Sequence, residues 1–249
     1  MEDIIMVKSV ILAAGKGTRM KSDKPKVVHQ VMGKPMVYYS IEAARQAGAD
    51  EVCVIVGYKA DEVKSAIAAS VNDVKVDYAL QEEQLGTGHA VKCAADFIGR
   101  DGDVIILCGD TPLVTGDTLR KALDFHKESG NGVTVISAML DDPFGYGRII
   151  RDGGSLAKIV EQKDADEAEQ AVKEVNSGMY IFDCAALQDA LSQISNDNAQ
   201  GEYYLPDAIE IIKKMGLPAS AVPMDDADQI RGVNTLEQLA DAEKIMENR

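Results

Sequence analysis

Glycines and cations are concentrated in one short stretch near the start of the chain, from Val10 to Lys26. The run Ala13-Ala14-Gly15-Lys16-Gly17 has almost no side chain that would keep a ligand away from its backbone N–H groups. Further cations follow at Arg19, Lys21, Lys24 and Lys26, with Asp23 as the single acid among them. Backbone donors and cations together bind phosphate in proteins. The stretch therefore predicts a phosphate site, whereas a tight turn with surface lysines would explain the glycines but not the density of cations.

The spacing of the glycines favours neither of the two commonest phosphate-binding loops. A Walker A loop needs Gly, four residues and then Gly-Lys-Ser/Thr, but Gly15-Lys16 is followed by Gly17 and lacks the first glycine. A dinucleotide fingerprint needs a third glycine where this chain has Met20, and the next predicted strand ends in Gly57-Tyr58, without the acid that holds a ribose. The pattern indicates another class of phosphate-binding protein.

The composition limits the classes of partner that the protein can bind and the cellular compartment in which we expect it. The 249 residues include 26 Lys and Arg against 41 Asp and Glu, a net charge of −15, which argues against nucleic acid and anionic membrane as partners. The four cysteines show no metal-ligand spacing, which favours reduced thiols: Cys53, Cys93, Cys108 and Cys184. The start, Met1 to Met6, carries acids where a secretory signal carries bases, and no apolar run approaches the roughly 18 residues of a membrane span. We expect a cytoplasmic protein.

Strand and helix patterns alternate along the chain and must position the basic stretch. Apolar runs predict strands at Val7 to Leu12, Val52 to Val56, Val74 to Ala79, Val104 to Cys108, Val133 to Met139, Val175 to Phe182 and Ala219 to Pro223. Amphipathic patterns predict helices from Pro35 to a stop at Gly48, and over Asp61 to Ala69, Gly88 to Phe97, Thr115 to Lys127, Ala165 to Lys173, Ala185 to Gln193, Leu205 to Met215 and Thr235 to Met246. The alternation is typical of a doubly wound, mostly parallel α/β sheet, whose ligands bind outside the carboxyl ends of the strands. We therefore expect Ala13-Ala14-Gly15 and Gly109-Asp110 to share one crevice.

An insertion is predicted after Asp141, where the pattern changes. Arg148 to Arg151, the turn Asp152-Gly153-Gly154 and Leu156 to Glu161 predict a β-hairpin placed over the sheet. The chain has no low-complexity linker and no internal repeat, so we expect one large domain.

Several motifs carry a resemblance to a known family. The segment Leu12-Ala13-Ala14-Gly15-x-Gly17-Thr18-Arg19-Met20, followed by Pro25-Lys26, resembles the signature of the sugar-1-phosphate nucleotidyltransferases. Further motifs resemble the uridyltransferase domain of the bifunctional bacterial enzymes that make UDP-N-acetylglucosamine: Lys26-Val27-Val28-His29, Gly33-Lys34-Pro35-Met36, Gln84-Leu85-Gly86-Thr87-Gly88-His89-Ala90, Gly145-Tyr146-Gly147-Arg148 and Asn198 to Tyr204. The resemblance runs from about Val7 to about Gln238. It implies a Rossmann-like nucleotidyltransferase with UTP and N-acetylglucosamine 1-phosphate as substrates, a nucleotide-binding part over about 1–140, a sugar-binding part over about 141–234 and a C-terminal helix over 235–249.

The reaction implied by this resemblance needs cations and a hard metal ion. The resemblance favours Arg19 and Lys26 as the catalytic cations over Lys16, Lys21 and Lys24, which can equally be solvated loop lysines. Asp110 follows a predicted strand, where a carboxylate beside a triphosphate is a good Mg²⁺ ligand, although it could also cap the turn before Pro112. The resemblance pairs Asp110 with Asn234, which by position alone would be the N-cap of the last helix. We expect both to bind Mg²⁺.

The remaining site residues divide between nucleotide and sugar. Beside Lys26, we expect substrate contacts from Leu12, Ala13, Ala14, Gly15, Gln81, Gly86, Thr87, Cys108, Gly109, Asp110, Gly147, Glu161, Asn176 and Asn234. Gln81, Gly86 and Thr87 fit a uracil pocket, because an amide can match the ring and glycines let the backbone approach it. The resemblance alone assigns Gly147, Glu161, Asn176 and Thr87 to the sugar and its N-acetyl group. Cys108 departs from relatives that place a tyrosine there, so it predicts either altered sugar selectivity or inert packing.

Two further expectations concern assembly and alternative functions. The bifunctional enzymes continue into a β-helix of hexapeptide repeats, and no such repeat follows Thr235. We expect neither acetyl transfer nor a repeat-driven trimer, and therefore a monomer or weak oligomer. The alternatives are a nucleotidyltransferase for another sugar or base, and a sensor that binds UDP-N-acetylglucosamine without turnover.

Overall fold

The computed structural model describes residues 6–72 and 74–249 of the chain. Glu2 and Asp3, on which the expectation about a secretory signal rests, lie outside them. The described residues form the strands β1 (Val7–Ala13), β2 (Gln30–Val31), β3 (Lys34–Pro35), β4 (Glu51–Val56), β5 (Val76–Leu80), β6 (Asp103–Cys108), β7 (Val133–Met139), β8 (Arg148–Asp152), β9 (Ser155–Val160), β10 (Glu174–Asp183) and β11 (Ala219–Pro223). Every strand predicted for the sheet is present, with ends within two residues of the prediction.

Helices connect most of these strands. They are α1 (Met36–Ala47), α2 (Ala60–Ser70), α3 (Thr87–Cys93), α4 (Ala95–Ile98), α5 (Gly116–Ser129), α6 (Glu167–Gln170), α7 (Cys184–Leu191), α8 (Asp207–Lys214) and α9 (Leu236–Glu247). Short 3₁₀ turns cover Thr18–Met20, Lys26–Val28 and Ala227–Ile230. The stop of α1 at Gly48 is confirmed: this glycine has a φ of 100° and its N–H bonds the Arg45 carbonyl.

Two of the predicted helices differ in the structure. The helix predicted over Gly88 to Phe97 is interrupted at Ala94, whose φ of −98° and ψ of 13° separate α3 from α4. The helix predicted over Ala165 to Lys173 is reduced to the single turn of α6, although Asp166 and Glu169 form a complete capping box. The turn ends early because the chain must extend to meet the end of β7, where the Leu140 N–H donates to the Lys173 carbonyl at 3.0 Å.

A nine-stranded sheet forms the centre of the molecule. Its main order is β11-β7-β10-β6-β1-β4-β5, and the hairpin of β8 and β9 extends it sideways from β10. The pairs β11–β7, β6–β1, β1–β4 and β4–β5 are parallel, whereas β10 is antiparallel to each of its neighbours. The expectation of a mostly parallel sheet with an inserted hairpin is therefore confirmed.

The sheet is covered on both faces, as the continuous apolar runs of its central strands require. Ile11 and Val54 belong to a core cluster that includes Ile41 of α1, and the intervening residues Val10 and Ile55 belong to another. Each strand therefore sends successive side chains into different cores. In the described part of the chain, no helix has the length and apolarity needed to cross a membrane.

Candidate active site

The carboxyl ends of β1 and β6 lie side by side at the main cleft. Leu12 is opposite Cys108 in the parallel register, and the Gly109 N–H donates to the Leu12 carbonyl at 2.9 Å. The cleft has a volume of about 290 Å³ and is lined by Leu12, Ala13, Ala14, Gly15, Lys26, Val27, Gln81, Gln84, Gly86, Thr87, Ala90, Cys108, Asp110 and Glu202. Ten of the sixteen predicted site residues are in this lining. The crevice expected at the two strand ends is present.

A close approach between two backbone segments brings Lys26 to the cleft. Gly17 has a φ of 67°, and a Cβ there would lie 2.4 Å from the Cβ of Lys26. Any larger residue would push the lysine away from the loop, so this position needs glycine for both its conformation and its contact. Pro25 is buried and directly precedes the 3₁₀ turn that starts at Lys26.

Four predicted residues meet in one ionic cluster. The Lys26 ammonium pairs with Asp110 Oδ2 and donates to Asn234 Oδ1 at 3.0 Å, and Arg19 Nη2 donates to the same Asn234 oxygen at 2.8 Å. The Val233 N–H bonds the Asp110 carbonyl at 2.9 Å, which fixes Asn234 beside the end of β6. More than 200 positions of sequence separate Arg19 and Lys26 from Asn234.

The alternative roles considered for Asp110 and Asn234 do not hold. Thr235 is the N-cap of α9, since its hydroxyl accepts from the Gln238 N–H at 3.2 Å. The turn before Pro112 is closed by Thr111, whose hydroxyl donates to the Cys108 carbonyl at 2.9 Å. The side-chain oxygens of Asp110 and Asn234 are therefore directed to cations.

This oxygen pair has the chemistry of a Mg²⁺ site. A carboxylate oxygen of Asp110 and an amide oxygen of Asn234 converge on one cation, the Lys26 ammonium. Mg²⁺ prefers oxygen ligands and commonly takes one or two from protein, with phosphate and water completing its shell. Among residues 6–72 and 74–249, no group of three or more His, Cys, Asp or Glu could hold a metal by itself. A metal ion here would therefore need oxygens from a phosphate ligand.

The other lysines of the loop do not join the cluster. The Lys16 ammonium lies 5.3 Å from the centre of the Tyr58 ring, and Lys21 and Lys24 are exposed. They make no bond to Asp110 or Asn234, in contrast to Arg19 and Lys26.

One amide at the cleft is held in a defined orientation. Gln81 is buried, and its Nε2 lies 3.2 Å from the Gly86 carbonyl and 3.1 Å from His89 Nδ1. With Nδ1 as the acceptor, both amide hydrogens are occupied inside the protein. The carbonyl oxygen of Gln81 is then the group left for a ligand. The Gln81–His89 contact could not be read from the spacing of the two residues.

Glycines let a second chain segment close this side of the cleft. The Gly88 N–H donates to the Tyr203 carbonyl at 2.8 Å, and the Tyr203 N–H donates to the Leu85 carbonyl at 2.9 Å. A Cβ at Gly86, where φ is 110°, would lie 2.6 Å from the Tyr203 oxygen. This contact brings Glu202 into the cleft lining. Sequence reasoning missed Glu202, and the only signal for it was its place in the Asn198 to Tyr204 motif.

Three of the four residues predicted to contact the sugar form a separate group, whereas Thr87 lies in the cleft lining. A Cβ at Gly147 would lie 3.2 Å from Glu161 Oε1 and 3.5 Å from the Cβ of Asn176. The Asn176 N–H donates to the Gly147 carbonyl at 2.9 Å. The inserted hairpin supplies Gly147 and Glu161, and β10 supplies Asn176. These three residues come together without belonging to the cleft lining.

Burial makes Glu161 an unusual carboxylate. Desolvation, together with the nearby acids Asp164 and Asp207, raises the pKa of Glu161, and Arg148 opposes this shift. The Arg148 side chain is 1% exposed and donates to the Gln162 side chain at 2.7 Å and to the Tyr146 carbonyl. It thereby fixes the loop that leads to Gly147.

Cys108 connects this group to the cleft. Its thiol donates to the Gly178 carbonyl at 3.7 Å, while the Gly178 N–H donates to Asn176 Oδ1 at 3.0 Å. Burial raises the pKa of the Cys108 thiol to about 12, so the thiol remains protonated. Thr87 also lines the cleft, and its hydroxyl accepts from the Leu205 N–H at 3.0 Å, which leaves the hydroxyl proton for another acceptor.

The chain is similar to one protein family and to several curated proteins that share one name. A family model described as "Nucleotidyl transferase" matches residues 8–242. Two curated relatives are each named "Bifunctional protein GlmU". The one from Caldanaerobacter subterraneus subsp. tengcongensis is 54% identical over 250 residues, covering 100% of this chain and 53% of that protein. The one from Thermoanaerobacter pseudethanolicus is 52% identical over 244 residues, covering 97% of this chain and 52% of that protein. The chain thus spans about half the length of these relatives.

Solved structures support the fold. A structure of UDP-glucose pyrophosphorylase complexed with UDP-glucose superposes with a TM-score of 0.78, covering 98% of this chain and 99% of that one. At 18% sequence identity, this likeness concerns the arrangement of the backbone.

Proposed function

The chain belongs to the nucleotidyl transferase family, and we propose that it joins UTP and N-acetylglucosamine 1-phosphate to form UDP-N-acetylglucosamine and pyrophosphate. The observation that carries this proposal is the ionic cluster of Arg19, Lys26, Asp110 and Asn234 at the end of β6. Binding of a nucleotide sugar alone would not require two cations together with a metal-type oxygen pair. The sequence identity of 54% and 52% to the two GlmU relatives supports UTP and N-acetylglucosamine 1-phosphate as the substrates.

The reaction forms one bond and breaks one bond at the α-phosphorus of UTP. A phosphate oxygen of the sugar phosphate attacks this phosphorus, and the bond to the bridging oxygen of the β-phosphate breaks as pyrophosphate leaves. The attacking oxygen is already ionised, so no residue has to remove a proton. Catalysis then depends on positioning and on stabilising negative charge. We assign that charge stabilisation to Arg19 and Lys26.

We assign Mg²⁺ binding to Asp110 and Asn234. When bound, the ion neutralises phosphate charge and orients the triphosphate. The Lys26 ammonium bonds Asp110 Oδ2 and Asn234 Oδ1, so a divalent cation held by these two oxygens would replace the ammonium there. Lys26 is then available to the phosphates beside the same oxygens.

We call the region of Gln81, Gly86 and Thr87 the base subsite. The Gln81 carbonyl, left unpaired by the orientation of its amide, can accept the N3–H of uracil. Cytosine has an acceptor at N3, so it would face this carbonyl with a second acceptor. This complementarity supports UTP over CTP, because an unpaired buried acceptor is costly.

We call the group of Gly147, Glu161 and Asn176 the sugar subsite. Asn176 offers both a donor and an acceptor, as an acetamido group does, and Glu161 can accept from sugar hydroxyls. Gly147 keeps the backbone beside Glu161 and Asn176 free of a side chain. We propose that residues about 1–140 bind the nucleotide and about 141–234 the sugar, with Glu202 added to the nucleotide side.

Pyrophosphate release from purified protein tests the proposal. The reaction with Mg²⁺, UTP and N-acetylglucosamine 1-phosphate is run beside glucose 1-phosphate, glucosamine 1-phosphate, dTTP, CTP and a metal-free control. We expect turnover to be much faster with the first pair than with any other pair and to depend on the metal ion. Faster turnover with another pair would retain the mechanism and change the substrate. Absence of turnover with every pair, together with tight binding of UDP-N-acetylglucosamine, would replace catalysis by a sensing role.

A further inference from the structure

The Asn176 side chain is held by two hydrogen bonds from within its own strand. Its Oδ1 accepts from the Gly178 N–H at 3.0 Å, and its Nδ2 donates to the Tyr180 hydroxyl at 2.6 Å. Asn176 is 8% exposed and Tyr180 is 3% exposed. The Gly178 N–H needs an acceptor and therefore selects the amide orientation with Oδ1 towards it, and the Tyr180 hydroxyl then anchors the other end of the amide by accepting from Nδ2.

A β-bulge creates this arrangement. Asn176 pairs with Ser137 of β7, but Met179 already pairs with the adjacent Ile136, so two extra residues bulge from β10. Two extra residues preserve the alternation, and Asn176 and Tyr180 therefore remain on the same face of the strand. The Ser177 hydroxyl fastens the bulge by donating to the Ile136 carbonyl at 2.5 Å.

The bulge is also fastened from β6. A Cβ at Gly178, where φ is 77°, would lie 3.3 Å from the Cys108 sulfur, and that thiol donates to the Gly178 carbonyl. Tyr180 itself pairs with Ile106, two residues before Cys108. Its ring stands 5.7 Å from that of Phe182, measured between ring centres. The hydroxyl that holds Asn176 is therefore anchored in the core, beneath the sugar subsite.

We propose that Tyr180 is a positioning residue of the sugar subsite, whose hydroxyl holds the Asn176 amide in the one orientation that matches an acetamido group. This inference rests on the proposed function. After its two internal bonds, the amide keeps one N–H and one oxygen lone pair for a ligand. An acetamido group presents one carbonyl oxygen and one N–H, and glucose 1-phosphate presents a hydroxyl at that carbon. Fixing the amide thus favours the acetamido sugar.

The chemistry of the hydroxyl agrees with a permanent positioning role. Burial raises the pKa of Tyr180, so its hydroxyl remains neutral over the working pH range. It can accept from Asn176 and still carry a proton of its own. Phenylalanine would keep the ring in the core and remove only the oxygen, which leaves one Asn176 N–H without its partner, so that the amide is held by Gly178 alone and loses its fixed direction towards the sugar.

The test compares Tyr180→Phe with the wild-type protein on two sugar phosphates. We expect kcat/KM for N-acetylglucosamine 1-phosphate to fall about tenfold, as loss of one buried hydrogen bond implies. The kcat/KM for glucose 1-phosphate and the KM for UTP should each change less than about twofold. Tyr39→Phe is the matched control, because it removes another hydroxyl that donates to a backbone carbonyl, that of Val31 at 2.7 Å, far along the chain from the sugar subsite. It should leave the selectivity unchanged.

A double-mutant cycle separates positioning from a general structural effect. If Tyr180 acts through Asn176, Tyr180→Phe should change selectivity less than about twofold in an Asn176→Ala background. A full tenfold loss in that background would overturn the inference, as would unchanged selectivity of Tyr180→Phe alone. A wild-type protein that turns over UTP but does not distinguish the two sugars would overturn both this inference and the proposed sugar. A selective wild-type protein with a selective Tyr180→Phe variant overturns the inference alone.

Discussion

The phosphate side and the sugar subsite of the proposed active site are formed by different kinds of residue. The phosphate side uses two cations on loops, Arg19 and Lys26, which meet the oxygens of Asp110 and Asn234. The sugar subsite uses Gly147 and Glu161, which flank the inserted hairpin, and Asn176 of β10, which is held by a bulge and is 8% exposed.

The difference follows from the charge of the ligands. A triphosphate must be attracted to a protein of net charge −15, so cations at the cleft, the exposed Arg19 and the half-buried Lys26, suit it. A sugar ring is neutral and must be distinguished by its hydrogen-bonding groups, so fixed and buried amides suit it. If this comparison is right, substitutions on the phosphate side should affect turnover, and substitutions on the sugar side should affect sugar KM and selectivity.

Asp110→Asn should have the largest effect. It removes the one carboxylate of the proposed metal pair while keeping the shape of the side chain, and we expect kcat to fall by on the order of 10³. The change should be measured as Mg²⁺-dependent pyrophosphate release, with circular dichroism as the control for folding. Normal metal-dependent activity would remove Asp110 from the metal site.

Arg19→Gln should follow, with a loss of about 10² in kcat, because it removes a charge contact to the transferring phosphate. Lys21→Gln is a matched control on the same loop, since Lys21 is exposed and is not part of the ionic cluster. The control should retain at least half of the wild-type rate. Equal losses in both variants would show that the loop acts through its total charge. Arg19 would then have no individual role in stabilising the phosphate.

Gln81→Leu tests the base subsite. This subsite is intermediate between the phosphate side and the sugar subsite, because it uses an oriented amide but binds the nucleotide. Removing the carbonyl should lower kcat/KM for UTP about 10- to 100-fold and bring UTP and CTP closer together. The KM for the sugar phosphate should remain within about twofold. A sugar KM that rises in parallel would mean that the two subsites are not separable.

Glu161→Gln should raise the KM for the sugar phosphate about tenfold and leave the KM for UTP unchanged. It should also stabilise the protein at pH 7.5. A carboxyl whose pKa is raised by folding is costly to ionise in the folded state, so the wild type loses stability as pH rises through that raised value. The difference in Tm should therefore disappear as pH falls towards 4.5, the ordinary value for Glu. An equal KM rise for both substrates would contradict a sugar-facing role.

Asp207→Asn should have the smallest effect, on stability alone. Burial, Glu210 and Asp164 raise the pKa of Asp207 to about 6 from an ordinary 3.8. The wild type should therefore lose stability between about pH 4 and pH 6, and the variant should not. The side chain keeps part of its solvation, so we expect a gain in Tm of only about 1–3 °C at pH 7.5. Asp197→Asn, in an exposed loop position, is the control, and a gain there of similar size would refute the assignment to burial.

The sequence predicted the phosphate side better than the sugar side. The glycine-rich run after β1 and Asp110 after β6 are signals within short windows, and parallel strands place both at one edge of the sheet. Glu161 and Asn176 carried no such signal, and only the family resemblance indicated them. Their meeting requires a hairpin, an antiparallel strand and a bulge, none of which is encoded by the spacing of the two residues.

One wrong helix prediction and one discarded alternative, the capping role for Asn234, have the same origin. Residues 165–173 have a helical composition, but pairing of Lys173 with Leu140 extends the chain and ends α6 early. Asn234 occupies a plausible capping position, yet Thr235 caps α9. The Asn234 side-chain oxygen accepts instead from Arg19 and Lys26. In each case a contact from a distant segment outweighs the local preference.

The sequence by itself determined the α/β fold, the edge of the sheet that carries the cleft and the presence of a glycine-rich, basic loop at that edge. These features follow from periodicity, glycine positions and charge within short windows. Only the tertiary structure decided which cations join Asp110 and Asn234, which way the Gln81 amide faces and that Tyr180 holds Asn176. Those choices depend on contacts between side chains whose distance and direction are fixed by the packing of whole strands, and no local pattern records them.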